Sequence, residues 1–165
     1  CMMARFRCAG ILFFIFGSFF SQATIAKEAA KHWLRQIVYV PVYSHIYGED
    51  RYRDKPFLLT ATLSIRNADQ QNPMTLKRVE YYDSDGNLLK AYITDPVNIA
   101  PFHSAYYIVQ ESETKGGTGA KFVVEWVSKK AIIEPIIESV MIGTKMQQGI
   151  SFLSPGRLLQ GTTAE

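Results

Sequence analysis

Residues 57–66 alternate without a break, with Phe57, Leu59, Ala61, Leu63 and Ile65 set against Leu58, Thr60, Thr62, Ser64 and Arg66. A two-residue period puts the first set on one face of a strand and the second on the other, so one face is buried and the other mostly wet. The same period begins at Ile37 and runs through Val38, Tyr39, Val40, Pro41, Val42 and Tyr43, where Pro41 marks an edge strand or a bulge. The turn-rich residues 67–73 lead to a strand over 74–83, whose apolar phase slips between Leu76 and Val79 and predicts a β-bulge near Lys77 and Arg78. Asp83, Ser84, Asp85, Gly86 and Asn87 predict a hairpin turn, because Asp-Gly tolerates the positive φ such turns demand, and residues 88–93 return as its partner. Further strands are expected at 97–100, 105–111 and 121–127, with a mobile loop over 114–119. Residues 132–143 fit a buried strand or a short helix around Pro135, residues 150–154 a short final strand, and residues 160–165 a frayed tail. About seven short strands spaced by turn signals predict an all-β fold, an antiparallel immunoglobulin- or fibronectin-like β-sandwich over residues 37–159.

Upstream the chain changes character. Arg5 and Arg7 form a positive n-region, residues 8–20 are almost wholly apolar, and Ala23, Thr24, Ile25 and Ala26 offer small residues for signal-peptidase cleavage. Residues 1–26 therefore read as a signal peptide cut after Ala26, or after Ala23, with translation starting at Met2 or Met3. An uncleaved inner-membrane anchor is the alternative, although the apolar run reaches the about 20 residues of a span only if extended through Ala26. Cys8 stands at the start of the apolar run rather than just after it, which argues against lipid attachment. Residues 27–36 are helix-compatible and are expected to be a short lead-in helix or frayed linker.

Cleavage changes the chemistry on offer. It takes two arginines and no acid, lowering Lys plus Arg from 18 to 16 against 15 Asp plus Glu, and the formal net charge from +3 to +1. That balance argues against nucleic acid as a partner. Both cysteines leave too, so the 139 remaining residues have no disulfide, thiol nucleophile or thiolate metal site and must hold one domain by packing.

The motifs favour structure over catalysis. Asp83, Asp85 and Asn87 begin like a calcium loop, but the required Gly position holds Leu88 and the closing Glu position holds Thr94, so no metal is expected. Gly116, Gly117, Thr118 and Gly119 lack the Walker lysine and precede a strand, hence no nucleotide cofactor. His32, His45 and His103 lack local zinc spacing. Glu111 and Glu113 share a strand face in this reading and resemble an acid-base pair, yet no opposed carboxylates or sugar cleft accompany them. The nine tyrosines suit half-wet strands and binding surfaces. In the adjacent pairs Tyr81 with Tyr82 and Tyr106 with Tyr107, one of each should be exposed and available for contact. The segment 141–157 mixes apolar residues with amides, hydroxyls, glycines and an arginine, and its candidate recognition residues are Gln148, Ser151 and Arg157.

Four ordered motifs carry a family likeness: residues 38–44, residues 59–67, residues 81–86 and the segment 141–152. Together they resemble a family of exported bacterial proteins classed as a domain of unknown function. The resemblance implies export and a single domain, and brings no activity and no catalytic residues. The expected function is a non-enzymatic binding or adaptor module of the cell envelope, periplasmic or secreted, whose partner is an envelope protein or a small ligand. The alternatives are a periplasmic hydrolase using Glu111, Glu113 or a histidine, and a membrane-anchored subunit that retains its N-terminal segment.

Overall fold

Ala61, Leu63 and Ile65 are fully buried while Thr60, Thr62 and Ser64 are partly exposed, as their alternation requires. The structure is a computed structural model and describes residues 31–48, 55–145 and 148–164. The signal peptide read over 1–26 lies outside them.

Among the described residues there are twelve strands and no helix. They are β1 (His32–Val42), β2 (His45–Ile46), β3 (Phe57–Leu58), β4 (Thr60–Arg66), β5 (Met74–Tyr82), β6 (Leu88–Ala91), β7 (Val97–Ile99), β8 (Ser104–Val109), β9 (Ala120–Ile133), β10 (Ile136–Lys145), β11 (Gln148–Pro155) and β12 (Arg157–Thr163). One sheet runs β12-β1-β9-β5-β6, with β7 also on β5; the other runs β11-β10-β4-β8; β2 and β3 form a small ribbon. Every pairing is antiparallel, and the fold is a β-sandwich.

The inner faces supply the core. Val40, Val124, Trp126, Leu76, Val79 and Phe122 from the larger sheet meet Ala61, Leu63, Ile65, Ile137 and Met141 from the smaller. Each large apolar side chain removed from water contributes about 1.5–3 kcal/mol, which offsets the cost of ordering these long cross-chain pairings.

Three features differ from expectation, and one open alternative is settled. The strand count is twelve rather than about seven, because one expected strand is split into β3 and β4, and short or pattern-poor strands add to the rest. The lead-in is partly strand: β1 starts at His32, where pairing with β9 and β12 outweighs helix-compatible composition. The tail is strand through Thr163, held by pairing along β1. Residues 136–145 are strand, which resolves the helix alternative after Pro135.

Local signals held. The β5–β9 register shifts between Leu76 and Arg78, a bulge at the expected place. Gly86 turns the β5–β6 hairpin at φ 89°, and Asp83 Oδ1 accepts from the backbone of Asp85 and Asn87 at 3.0 and 2.8 Å. Pro41 lies past the last β1–β12 pair, Tyr39 with Arg157, where it displaces no partner on that side.

The loop at 114–119 is pinned rather than mobile. Ser44 Oγ accepts from Gly117 N at 2.9 Å, Ser84 Oγ accepts from Gly119 N at 2.9 Å, and the backbone N–H groups of Ser44 and Ser84 donate to the carbonyls of Gly117 and Gly116.

Candidate functional site: the outer face of the four-stranded sheet

The structure separates the residues of the enzymatic reading. His32 opens β1 at one end of the sandwich, and the carbonyl of His103 accepts from Asn67 N at that same end. His45 lies on β2 at the other end, its Nδ1 3.0 Å from Ser44 Oγ. Glu111 and Glu113 lie in the loop after β8 and share no strand face, because that strand ends at Val109. Glu113 accepts from Lys115 N at 3.1 Å.

The recognition residues of the C-terminal segment fall on two sheets. Gln148 opens β11, its backbone opposite Lys145. Ser151 is exposed in the middle of β11, opposite Ile142. Arg157 opens β12 in the other sheet, opposite Tyr39. The chain crosses between them at Gly156, where a Cβ would stand 2.6 Å from Val38 Cγ1 and 2.7 Å from the Ile137 carbonyl, so glycine is required by close approach.

Ser151 belongs to a larger surface. Strand pairing sets out the outward side chains of the four-stranded sheet in cross-strand rows. Ser151, Ile142 and Thr60 form one; Leu153, Val140, Thr62 and Ile108 the next; then Pro155, Glu138, Ser64 and Tyr106; and last Ile136, Arg66 and Ser104. The apolar members are open to water, with Ile142 and Leu153 each 51% exposed, Ile108 38% and Tyr106 70%. Its two charges among the described residues neutralise each other, since Arg66 Nη1 lies 2.8 Å from Glu138 Oε1. What remains is an uncharged surface of β-branched, aromatic and hydroxyl side chains.

The outer face of the larger sheet is built differently. Arg35 Nη2 meets Glu125 Oε1 at 2.6 Å, and Arg78 lies 3.4 Å from Glu80 and 3.6 Å from Glu125, an ion-pair lattice across β1, β9 and β5. Tyr82 donates to Glu80 Oε2 at 2.5 Å; this bond, with burial and the Glu80 charge behind it, raises the phenol pKa. Solvent-facing antiparallel sheets normally look like this, polar outside and apolar inside.

Of the tyrosine pairs, Tyr106 is exposed beside half-buried Tyr107, as expected, and stands on the apolar face. Tyr81 is buried, while its neighbour Tyr82 is only half-exposed and committed to Glu80. Sequence reasoning missed Ile142, Leu153 and Ile108. The available signal was the run 136–142, apolar on both faces of one strand.

These features define an all-β sandwich domain with one ion-paired outer face and one apolar one. The chain belongs to the family described as protein of unknown function (DUF3124), whose model matches residues 35–159. No curated protein matches the sequence. A solved structure titled Crystal Structure of Thermotoga maritima 1070 is similar at 12% identity and a TM-score of 0.42, over 82% of this chain and 99% of that one.

Proposed function

We propose that this domain is an exported, non-enzymatic binding or adaptor module of the cell envelope that docks a partner protein on the outer face of the four-stranded sheet. The observation that carries the reading is the exposure of Ile142, Leu153, Ile108 and Tyr106 together on a face whose two charges are mutually paired. Contiguous apolar surface of this kind marks interaction sites, and aromatic residues are favoured there. With strands about 4.8 Å apart and rows about 6.8 Å apart, the face covers roughly 400 Å². A standard interface takes about 800 Å² from each partner, so the face forms the centre of a contact whose rim reaches other elements. Ser151 supplies hydrogen bonding within it, Gln148 opens β11 at one end of the face, and Arg157 lies past the other end of β11, at the start of β12 in the larger sheet.

Export rests on the N-terminal reading, with the periplasm or secretion as destination and inner-membrane anchoring as the alternative. An intact mass beginning at Lys27 decides for cleavage.

The test is capture of the tagged protein from its own envelope after mild cross-linking, comparing wild type with Ile142→Glu, Leu153→Glu and with Gln148→Ala, Arg157→Ala. One protein lost from the first variant, while its thermal midpoint stays unchanged, supports docking on this face. Loss only from the second moves the contact to the starts of β11 and β12, and the same partner in all three refutes the surface.

A further inference from the structure

A second surface lies on the opposite side of the sandwich. On the outer face of the larger sheet, Asn98, Thr75 and Val127 form one cross-strand row. Beside this row a cleft of about 760 Å³ opens, within the size range of small-ligand sites. Two bulges on neighbouring strands aim their extra residues at it.

On β5, the shift between Leu76 and Arg78 leaves Lys77 as the inserted residue and places both Lys77 and Arg78 outward between buried Leu76 and Val79. Arg78 goes to Glu80 and Glu125, and Lys77 lines the cleft. On β9, Val127 pairs with Arg35 and Ile132 with Trp33, so residues 128–131 oppose Leu34 alone. That excursion brings Lys129 and Lys130 to the same cleft. Bulges re-aim side chains in this way beside functional sites.

The remaining wall is the turn after β4, and it is held rigidly. Buried Asp69 accepts from the backbone N–H of Gln71 and Asn72 at 2.9 and 2.8 Å, and Asn67 Nδ2 donates to the Asn72 carbonyl at 2.9 Å. From the β9 excursion, Ser128 Oγ donates to the Pro73 carbonyl at 2.8 Å and ties the two walls together. Such a cleft needs little ordering when it binds.

The lining decides the ligand chemistry. It carries three ammonium groups and three carboxamides, Gln71, Asn72 and Asn98, with no carboxylate among the described residues. Nor does any described carboxylate come within ion-pair distance of Lys77, Lys129 or Lys130. Carboxamides match hydroxyl groups, the Val127 side chain and the lysine stems match C–H faces, and the ammonium groups match acid groups. No aromatic ring lines the cleft, whereas single-stranded nucleic acid is held by base stacking on such rings.

We infer that this cleft is an anion-binding site for an acidic or phosphorylated sugar, separate from the proposed docking face. The two acid groups present the same chemistry to the lysines, and the probes below distinguish them.

The test is calorimetric titration of the full chain with trigalacturonate, glucose 1-phosphate, maltotriose, inorganic phosphate and a short single-stranded oligonucleotide. The chain is compared with the Lys77→Gln, Lys129→Gln, Lys130→Gln variant and with Lys115→Gln, a charge control in the pinned loop. The inference expects one of the two anionic sugars to bind, more weakly as salt rises from about 50 to about 200 mM. Binding should weaken by about tenfold or more in the triple variant and be unchanged in Lys115→Gln. The sugar that binds identifies carboxylate or phosphate as the group recognised. Lysine acetylation of the wild-type chain provides a readout free of mutation, with bound sugar protecting Lys77, Lys129 and Lys130. Four results would each overturn the inference: no binding of either anionic sugar at about 50 mM salt, equal binding by the triple variant, maltotriose binding as tightly, or phosphate or oligonucleotide binding as tightly as the sugars.

Discussion

The indole N–H of Trp126 donates to Gln36 Oε1 at 3.2 Å inside the sandwich, and the amide of Gln36 donates onward to Glu134 Oε1 at 2.9 Å. Both Gln36 and Trp126 are fully buried, so one amide links β1 to β9 in the core and reaches the corner where β9 gives way to β10. Gln36→Leu leaves the indole donor buried and unpaired, and should cost about 1–3 kcal/mol. Adding Trp126→Phe removes the stranded donor, so in urea unfolding the double variant should lose less than the sum of the singles. A strictly additive pair would show that the bond contributes nothing.

Tyr81 carries the opposite condition. Its hydroxyl is buried without a partner, and burial, with the Glu113 charge and others behind it, pushes the phenol pKa up to about 12. The chain passes directly over it at Gly116, where a Cβ would fall onto the hydroxyl. Tyr81→Phe should be neutral or stabilising by up to about 1 kcal/mol, because it deletes an unsatisfied polar group. Gly116→Ala should destabilise the wild type by more than it destabilises Tyr81→Phe, as a double-mutant cycle would read. The raised pKa adds a sign: the unfolded phenol ionises near pH 10 while the folded one holds its proton, so stability falls as pH rises from there through about 12. Tyr81→Phe should therefore flatten the alkaline limb of the stability curve.

What could be read in the sequence was local. The alternation of residues 60–66, the bulge at Lys77 and the hairpin at Gly86 each depend on neighbours in the chain, and each appears where expected. What could not be read depends on distant pairing. All seven residues of β12 are exposed, so no burial pressure writes an alternation into them, and β12 exists because β1 offers an edge. Ile136, Val140 and Ile142 face outward while Ile137 and Met141 face inward, which erases the period that would have marked β10 as a strand. The ambiguity of that run and the apolar outer face have one cause. The lysine cleft was hidden for a related reason, because its walls come from two bulges and a turn far apart in sequence.

The pinning of residues 114–119 makes a separate prediction. Buried Ser44 both donates its backbone N–H to the Gly117 carbonyl at 3.1 Å and accepts the Gly117 N–H on its hydroxyl, while Gly117 holds φ 79°. Ser44→Ala removes the hydroxyl acceptor, and should cost about 1 kcal/mol and speed amide exchange at Gly117. Exchange at Gly86, in the adjoining hairpin, should not change. If Gly117 already exchanges at the unprotected rate in the wild type, the loop is not pinned in solution.

Asp69 sets the acid limit of the turn that walls the lysine cleft. Burial works to raise its pKa, but donation from the backbone of Gln71, Asn72 and Ile133 and from the Asn72 amide outweighs it, and the carboxyl titrates below its ordinary value of 3.8. A depressed carboxylate stabilises the fold above the unfolded value and loses that contribution as pH falls through the folded one, so the window lies below about pH 4. Asp69→Asn keeps the size but turns an acceptor-only group into one that also presents donors to donors. It should cost about 1–3 kcal/mol at neutral pH. The stability difference from wild type should then shrink on acidification, as urea midpoints between about pH 7 and about pH 2.5 would show. A difference that stays constant across that range would mean the charge of Asp69 plays no part, and that the turn rests on Asn67 alone.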